Sequence, residues 1–292
     1  MSTRSLYLLA AVCSRRFAHP VERLTVGGLP ALTAYPVAAG PTLVFANAAT
    51  PLGIEAPGVA RFLGGVARAG FHAVAPELPH VRSGRVTPAT VDALVRVVEA
   101  VEGPVVLAGG STGAGLAVIA AADDRIVGRV ALVSAIAPFA DLGNVLRLAT
   151  TGHYVDDDGA LRAYRVAPLL RWVAATSLRA AASGPATETL LGNRDPERFD
   201  ELFAALPAEA RATVEALSPV RALPRVRAPV DIVCEPNDVF FPLAEARALA
   251  GAGARLTVTP ALSHVRPRMR LGLGRLVGFL DRMLLLEPAF AA

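Results

Sequence analysis

A strand-like run that ends in small residues around one serine constrains the fold of this chain more than any other stretch. Residues 103–121 read GPVVLAGGSTGAGLAVIAA. The apolar residues Val105 to Ala108 predict a buried strand, and the Ala-rich residues after Ser111 predict a helix. Glycines on both sides of the serine permit a tight turn between the two. The stretch therefore predicts either a plain structural turn or a turn that exposes the Ser111 hydroxyl as a nucleophile.

Short strands rich in valine, leucine and alanine alternate with helical segments along most of the 292 residues. This alternation is typical of α/β proteins with a mostly parallel central sheet and flanking helices. The predicted strands are Val21–Val26 and Ala31–Val37 (an antiparallel pair), Thr42–Ala46, His72–Pro76, Val105–Ala108, Val130–Ser134, Val230–Cys234 and Arg255–Thr259. The predicted helices include Pro57–Ala69, a helix that Thr87 and Pro88 open, and a closing helix at Leu273–Leu286.

The alternation stops after residue 140 and resumes at residue 224. Residues 141–223 carry only helical patterns, and we expect an all-helical insertion that covers Ser111 as a lid. The α/β core is then residues 21–140 and 224–292, preceded by an N-terminal segment, 1–20. The apolar run Ser5–Cys13 in that segment is shorter than the roughly 20 residues that span a bilayer. It predicts a soluble helix, with a weak export signal or peripheral membrane contact as the alternative.

Composition argues against several classes of function. Hydrophobic residues make up 53% of the chain and charged residues 18%, which argues against disorder. The net charge is +4, but every basic residue is a scattered arginine, and with 5% aromatics there is no pattern for binding nucleic acid. Cys13 and Cys234 form neither a metal motif nor a disulfide framework, so we expect no metal and a cytoplasmic location. The oligomeric state stays open.

A serine nucleophile needs a base. Residues 109–113 fit the pattern G-x-S-x-G, which between a strand and a helix is the nucleophile elbow. His264 follows the last predicted strand, where a serine hydrolase on such a sheet carries its histidine. His264 is therefore the predicted base, against the alternative that it is a surface histidine without a role.

The acid that orients His264 is expected after the preceding strand, in VDIVCEPNDVFFP (residues 230–242). Asp238 is the predicted acid because it lies at the far side of the turn, from where its carboxylate could reach back to the imidazole. Glu235 lies nearer the strand end and is an alternative. Asp141 is the other alternative, although it could instead cap the following helix.

An oxyanion hole needs two backbone donors. The N–H of Thr112, directly after the serine, is one predicted donor. Ala49 is the other, because small residues in the loop FANAATPLG after the Thr42–Ala46 strand allow close backbone approach. An ordinary turn is the alternative interpretation of that loop.

Taken together, Gly109-x-Ser111-x-Gly113, the later Asp238 and the still later His264 resemble the α/β-hydrolase superfamily over nearly the whole chain after about residue 21. The sequence is most similar to serine hydrolases of the esterase and dienelactone-hydrolase kind. The resemblance implies hydrolysis of a small carboxylic ester or lactone through an acyl-enzyme, with no metal or organic cofactor. Dienelactone hydrolases proper carry cysteine where this chain has Ser111, so their specific activity is not implied. Those enzymes usually have His-Gly or Asn-Gly in the oxyanion loop, where this chain has Asn47-Ala48.

The sequence says less about which residues contact the substrate. His153, Leu169 and Trp172 of the insertion are candidates to contact substrate, while helix packing is the alternative role for the two apolar residues. An acyltransferase would use the same triad, and a lyase could use the same fold. A non-catalytic ligand-binding protein is the alternative from a different class.

Overall fold

The computed structural model describes residues 2–14, 19–268 and 271–284. Its strands are β1 (Glu22–Val26), β2 (Leu29–Ala34), β3 (Thr42–Ala46), β4 (His72–Pro76), β5 (Val105–Gly110), β6 (Val130–Ile136), β7 (His153–Val155), β8 (Leu161–Ala163), β9 (Val230–Cys234), β10 (Arg255–Val258), β11 (Leu262–Ser263) and β12 (Arg266–Pro267). Its α-helices are α1 (Thr3–Cys13), α2 (Pro57–Arg68), α3 (Pro88–Ala100), α4 (Thr112–Ala120), α5 (Leu142–Thr151), α6 (Pro168–Ala181), α7 (Pro185–Gly192), α8 (Phe199–Ala204), α9 (Ala208–Ala216), α10 (Pro219–Ala222), α11 (Leu243–Gly251) and α12 (Leu273–Leu284).

Eight of these strands form one central sheet in the order β1-β2-β4-β3-β5-β6-β9-β10. The pairs β1–β2 and β2–β4 are antiparallel, and every other neighbouring pair is parallel. The mostly parallel sheet and the opening antiparallel pair are thus confirmed. Gly27 and Gly28 turn the β1–β2 hairpin at φ values of 57° and 77°, a region that favours glycine.

The sheet is covered by helices on both faces, because its central strands are apolar on both sides. On β3, Leu43 and Phe45 pack into the core cluster that includes residues of α1, α2 and α12. Val44 and Ala46 alternate with them and pack into the cluster on the opposite face, with residues of α3, α4 and α11. The result is a three-layer arrangement with the sheet in the middle.

The N-terminal apolar run is a helix, α1, that packs on α2 and α12. Leu8 is buried, and a Cβ on Gly65 of α2 would lie 2.7 Å from its Cδ1, so the two helices are in close contact. The hydroxyls of Ser2 and Ser5 donate to Asp281 of α12 at 2.5 and 2.6 Å. Among the described residues, no helix is both long and apolar enough to span a membrane.

The predicted element boundaries differ from the observed ones by a few residues. The strand that begins at Val105 continues to Gly110, so Ser111 directly follows the end of the strand. Thr87 caps α3 in a capping box with Thr90, as the Thr-Pro pair predicts. The closing helix is observed to Leu284, and the rest of its predicted span, 285–286, lies outside the described residues.

The segment 141–223, which we call the insertion, lies between β6 and β9 and is mainly helical. The expectation that it is all-helical is wrong at one place, the antiparallel hairpin of β7 and β8. Strands of three residues carry too few positions for an alternating pattern to reveal them.

The two ends of the insertion meet. The Val220 N–H donates to the Ala140 carbonyl at 3.0 Å, and the Leu142 N–H donates to the Ser218 hydroxyl at 2.9 Å. The chain therefore leaves the core and returns to it at a single junction.

Candidate active site

The predicted site residues lie in loops that leave one edge of the sheet. Ser111 follows β5, Asp238 follows β9 and His264 follows β10. These strands are parallel, so their carboxyl ends share an edge, which is where open α/β sheets bind ligands.

Ser111 lies in the tight turn between β5 and α4. Its backbone has φ 54° and ψ −123°, a conformation that non-glycine residues rarely adopt. Its N–H donates to the Ile136 carbonyl of the neighbouring strand at 2.8 Å, which holds the turn in place. Backbone strain of this kind clusters at functional sites.

The glycines around Ser111 are required by close backbone contacts. A Cβ on Gly109 would lie 2.3 Å from the Gly113 carbonyl oxygen. A Cβ on Gly113 would lie 2.0 Å from the Ala46 carbonyl oxygen at the end of β3. No Cβ fits at such distances, so the G-x-S-x-G pattern follows from the packing of β3, β5 and α4.

His264 and Asp238 form a buried pair. The imidazole Nδ1 lies 2.8 Å from one carboxylate oxygen of Asp238 and 3.0 Å from the other. The N–H groups of Phe240 and Phe241 also donate to this carboxylate, at 2.7 and 3.2 Å. An ionised carboxylate only accepts, so Nδ1 carries the proton and Nε2 is left as the acceptor. That tautomer suits a base that takes a proton from a serine.

The two alternative acids have other roles in the structure. Glu235 lies beside the main chain of His264, whose φ is 53° at the tip between β11 and β12. Burial, together with the nearby charge of Asp238, raises the pKa of Glu235 above its ordinary value. Asp141 accepts the Asn144 N–H at 3.0 Å as the N-cap of α5, which confirms the capping alternative.

Two residues around this pair were missed by the sequence analysis. The Tyr164 hydroxyl, from the insertion, donates to the main-chain carbonyl of Asp238. Burial, and then the charge of Asp238, raises the pKa of Tyr164, so its hydroxyl stays protonated as a donor. The Phe240 ring lies over the His264 imidazole with centroids 4.3 Å apart. No sequence signal identifies Tyr164, because its contact depends on how the insertion folds back.

The residues of both predicted oxyanion donors line the same cavity as Ser111. Thr112 is the first residue of α4, and Ala49 lies in the loop after β3, which approaches α4 closely at Gly113. The Asn47 side chain fixes that loop by donating to the Gly53 carbonyl at 2.5 Å. Within the described residues, neither the Ala49 nor the Thr112 N–H has an acceptor, so both are available to a bound oxyanion.

A cavity of about 300 Å³ connects most of these groups. It is lined by Ala48, Ala49, Thr50, Ser111, Thr112, Leu169, Leu170, Val173, Val239, Phe240, Phe241, Ser263, His264, Val265 and Arg266. The structure thus brings Leu169 to the site but neither His153 nor Trp172. The Trp172 ring packs against Gly84, and His153 Nδ1 bonds the Thr151 carbonyl at 3.0 Å. A larger hollow of about 490 Å³, beside Arg4 and His19, contains none of the candidate site residues.

Cys234 and possible metal ligands are the other reactive groups to consider at this edge of the sheet. Burial, and then the charge of Asp238, raises the pKa of Cys234 to about 12, so its thiol is protonated at neutral pH and is a poor nucleophile. In the described part of the chain, no group of three or more His, Cys, Asp or Glu side chains is placed to hold a metal ion.

Comparisons with known proteins identify the family and the fold. Residues 43–270 match the family model described as "Alpha/beta hydrolase family". The chain belongs to the alpha/beta hydrolase family. No curated protein matches this alpha/beta hydrolase.

Solved structures with the same fold include several hydrolases. An esterase from the bacterial hormone-sensitive lipase family is 18% identical with a TM-score of 0.57, over 98% of both chains. The 2,6-dihydroxy-pseudo-oxynicotine hydrolase is 18% identical with a TM-score of 0.58, over 98% of this chain and 72% of its own. A puromycin-hydrolyzing peptidase of Mycobacterium tuberculosis is 16% identical with a TM-score of 0.58. The match covers 92% of this chain but only 40% of the longer peptidase. At these identities the likeness is one of fold.

Proposed function

We propose that this alpha/beta hydrolase is a serine hydrolase that cleaves a small carboxylic ester or lactone through an acyl-enzyme. The observation that carries the proposal is that Ser111 and His264 line one cavity, while Asp238 holds the far nitrogen of the imidazole. The cysteine at the same edge is protonated, and the described residues offer no metal cluster, so Ser111 is the best-placed nucleophile.

In this mechanism Ser111 attacks the ester carbonyl while His264 Nε2 takes its proton. The Thr112 and Ala49 N–H groups stabilise the tetrahedral oxyanion, and Asp238 stabilises the imidazolium. His264 then protonates the leaving alcohol. A water activated by His264 releases the acid and frees Ser111.

The esterase and the other hydrolases of the same fold support hydrolysis in general, and the open cavity supports a small substrate. The insertion lies over part of this cavity through Leu169, Leu170 and Val173, which supports its proposed role as a lid. A cytoplasmic location belongs to the same proposal and is supported by two cysteines that form no disulfide.

The test is to label the purified protein with a fluorophosphonate probe and to map the modified residue. We expect the label on Ser111, and we expect Ser111→Ala to lose the label and several orders of magnitude of turnover on a chromogenic acetate ester. An unlabelled wild-type protein, or a label on another serine, would contradict the proposal.

A further inference from the structure

A second, smaller cavity adjoins the first beneath the insertion. Its volume is about 30 Å³, and Thr112, Leu170, Val173 and Phe241 line both spaces. The remaining walls are Val86, Phe139, Leu142, Val145, Ala174, Ser177 and Leu217. We call this space the recess. Thr112 directly follows Ser111 and lines both spaces, so the recess lies one residue along the chain from the candidate nucleophile.

The chemistry of the recess is apolar. No charged side chain lines it, and most of its walls are aliphatic or aromatic. The hydroxyl of Ser177 is already engaged, since it accepts the Val86 N–H at 3.0 Å and donates to the Gly84 carbonyl at 3.2 Å. A polar group placed there would lose its hydrogen bonds with water and gain few in return, so the recess favours a hydrocarbon group.

The position of His264 determines which part of an ester points toward the recess. The leaving alcohol takes its proton from His264, so its oxygen must lie within hydrogen-bond reach of that imidazole. Val239, Ser263 and Val265 line the large cavity beside His264 and do not line the recess. The alcohol therefore occupies the His264 side. The acyl chain, on the other side of the carbonyl, extends along Thr112 toward the recess.

We infer that the recess is the acyl-binding site of this enzyme and that it selects short, unbranched acyl chains; the inference rests on the proposed hydrolysis at Ser111. A water-sized group needs about 10–15 Å³ of such space, so 30 Å³ holds roughly two carbon-sized groups beyond those next to the carbonyl. The preferred substrates are then esters of acids with about three to five carbons. Longer chains would have to displace the packed core of the insertion.

The test uses a series of p-nitrophenyl esters from acetate to decanoate, so that only the acyl chain changes. Ala174 is 3% exposed and lines the recess but not the large cavity, so Ala174→Val fills the recess. Val145 is 5% exposed and also lines the recess but not the large cavity, so Val145→Ala enlarges the recess. Ala180→Val makes the same change as Ala174→Val at an exposed position of the same helix and is the matched control.

In the wild type we expect kcat/KM to be highest at propionate to pentanoate and to fall at least tenfold by octanoate. Ala174→Val should lower the butyrate-to-acetate ratio of kcat/KM by about tenfold, the usual effect of one or two methyl groups in an apolar pocket. Val145→Ala should move the preferred length one or two carbons higher. Ala180→Val should leave the series as it is in the wild type.

Thermal unfolding of each variant separates specificity from folding. If Ala174→Val raises the melting temperature and leaves the acyl series unchanged, the recess is a packing void and the inference is wrong. If Ala174→Val does not fold, Val145→Ala decides by the same series. If the protein hydrolyses the esters but neither variant changes the dependence of kcat/KM on acyl length, the inference is wrong and the proposed function stands. A protein that the fluorophosphonate probe does not label and that hydrolyses none of the esters overturns the proposed function, and the inference with it.

Discussion

Several residues in loops at the carboxyl edge of the sheet have positive φ values, which normally favour glycine. Ser111, Ala137 and His264 have φ values of 54°, 51° and 53°. Each such residue costs on the order of 1–3 kcal/mol, and the surrounding contacts must offset that cost. For Ser111 they include the bond from its N–H to Ile136, and for His264 the bonds from its imidazole to Asp238. These contacts therefore offset the cost of the backbone conformations at the candidate site.

The Asp238 carboxylate is expected to matter mainly through the tautomer and the charge of His264. Asp238→Asn keeps the size of the side chain but presents an amide to Nδ1, so we expect ester turnover to fall about a thousandfold or more with the fold intact. Steady-state kinetics on an acetate ester, with circular dichroism as the folding check, measures this.

Asp141→Asn is the matched control for Asp238→Asn, because Asp141 caps α5. We expect it to change turnover only mildly. Glu235→Gln should also be mild, since the amide keeps the size and one acceptor oxygen of the carboxyl group and Glu235 does not bond the imidazole. If Asp141→Asn abolishes turnover and Asp238→Asn does not, then the acid follows β6 rather than β9, and the assignment of Asp238 is wrong.

A substitution at Gly113 tests whether packing against β3 requires glycine in the turn around Ser111. Gly113→Ala would put a Cβ 2.0 Å from the Ala46 carbonyl, a backbone atom that cannot rotate away. Alanine is the better helix former, so a gain in stability is expected from propensity alone. We instead expect a loss of at least about 2 kcal/mol in the free energy of unfolding, measured in urea.

Gly128→Ala is the control for that substitution, since a Cβ there meets no heavy atom within 4 Å. Its free energy of unfolding should stay within about 0.5 kcal/mol of the wild type. Equal effects of the two substitutions would show that the contact with Ala46 is not what requires glycine.

At the scale of elements, α11 and α5 are joined by a buried carboxyl group. Glu245 of α11 accepts the N–H groups of Ala140 and Asp141 at 2.7 and 3.0 Å, just before α5 begins. Burial is the main cause that raises its pKa to about 7, and the neighbouring Asp141 charge raises it further, against these hydrogen bonds. Glu245 therefore holds the junction of the insertion while it titrates near neutral pH.

The raised pKa of Glu245 predicts how stability depends on pH. Between the ordinary glutamate value of 4.5 and about 7, the folded state binds more protons than the unfolded state. The free energy of unfolding should therefore fall as pH rises through that range, by roughly 3 kcal/mol from this group. Glu245→Gln keeps an acceptor but cannot ionise, so this part of the pH dependence should disappear in urea unfolding at pH 4.5 to 8.

The exposed Glu209 of α9 provides the control, and Glu209→Gln should follow the wild-type pH profile. If the Glu245→Gln variant loses stability with pH as steeply as the wild type, then Glu245 is not the titrating group.

Local patterns predicted the elements that pack on the sheet, because burial imposes a period on them. They failed where a residue's partner comes from a distant segment. Trp172 lies on a helix as expected, but its ring faces Gly84 rather than the cavity. The bond from Tyr164 to the Asp238 carbonyl depends on the β7–β8 hairpin, which is too short to leave a periodic signal.

At the scale of the whole molecule, the edge that carries the candidate site was predictable and its cavity was not. Ser111, Asp238 and His264 each follow a strand, and parallel strands necessarily bring those ends to one edge. The cavity depends on how α6 docks over that edge, and the recess on gaps between Val145, Ala174 and Phe139. Such packing details are set by the three-dimensional fit of side chains and leave no trace in residue spacing.

The junction where Ala140 and Val220 meet has a consequence for how such a protein can change. The two ends of the insertion are hydrogen-bonded to each other there, so the insertion is attached to the core at one place. Loop-closure entropy grows only slowly with length, by about 0.6 kcal/mol for each doubling. Exchanging the insertion for a longer or shorter one would therefore cost the sheet little, while it would replace the part of the cavity wall that Leu169, Leu170 and Val173 form. Under the proposed function, the range of substrates could then change by exchange of this one segment, while Ser111, Asp238 and His264 stay in the core.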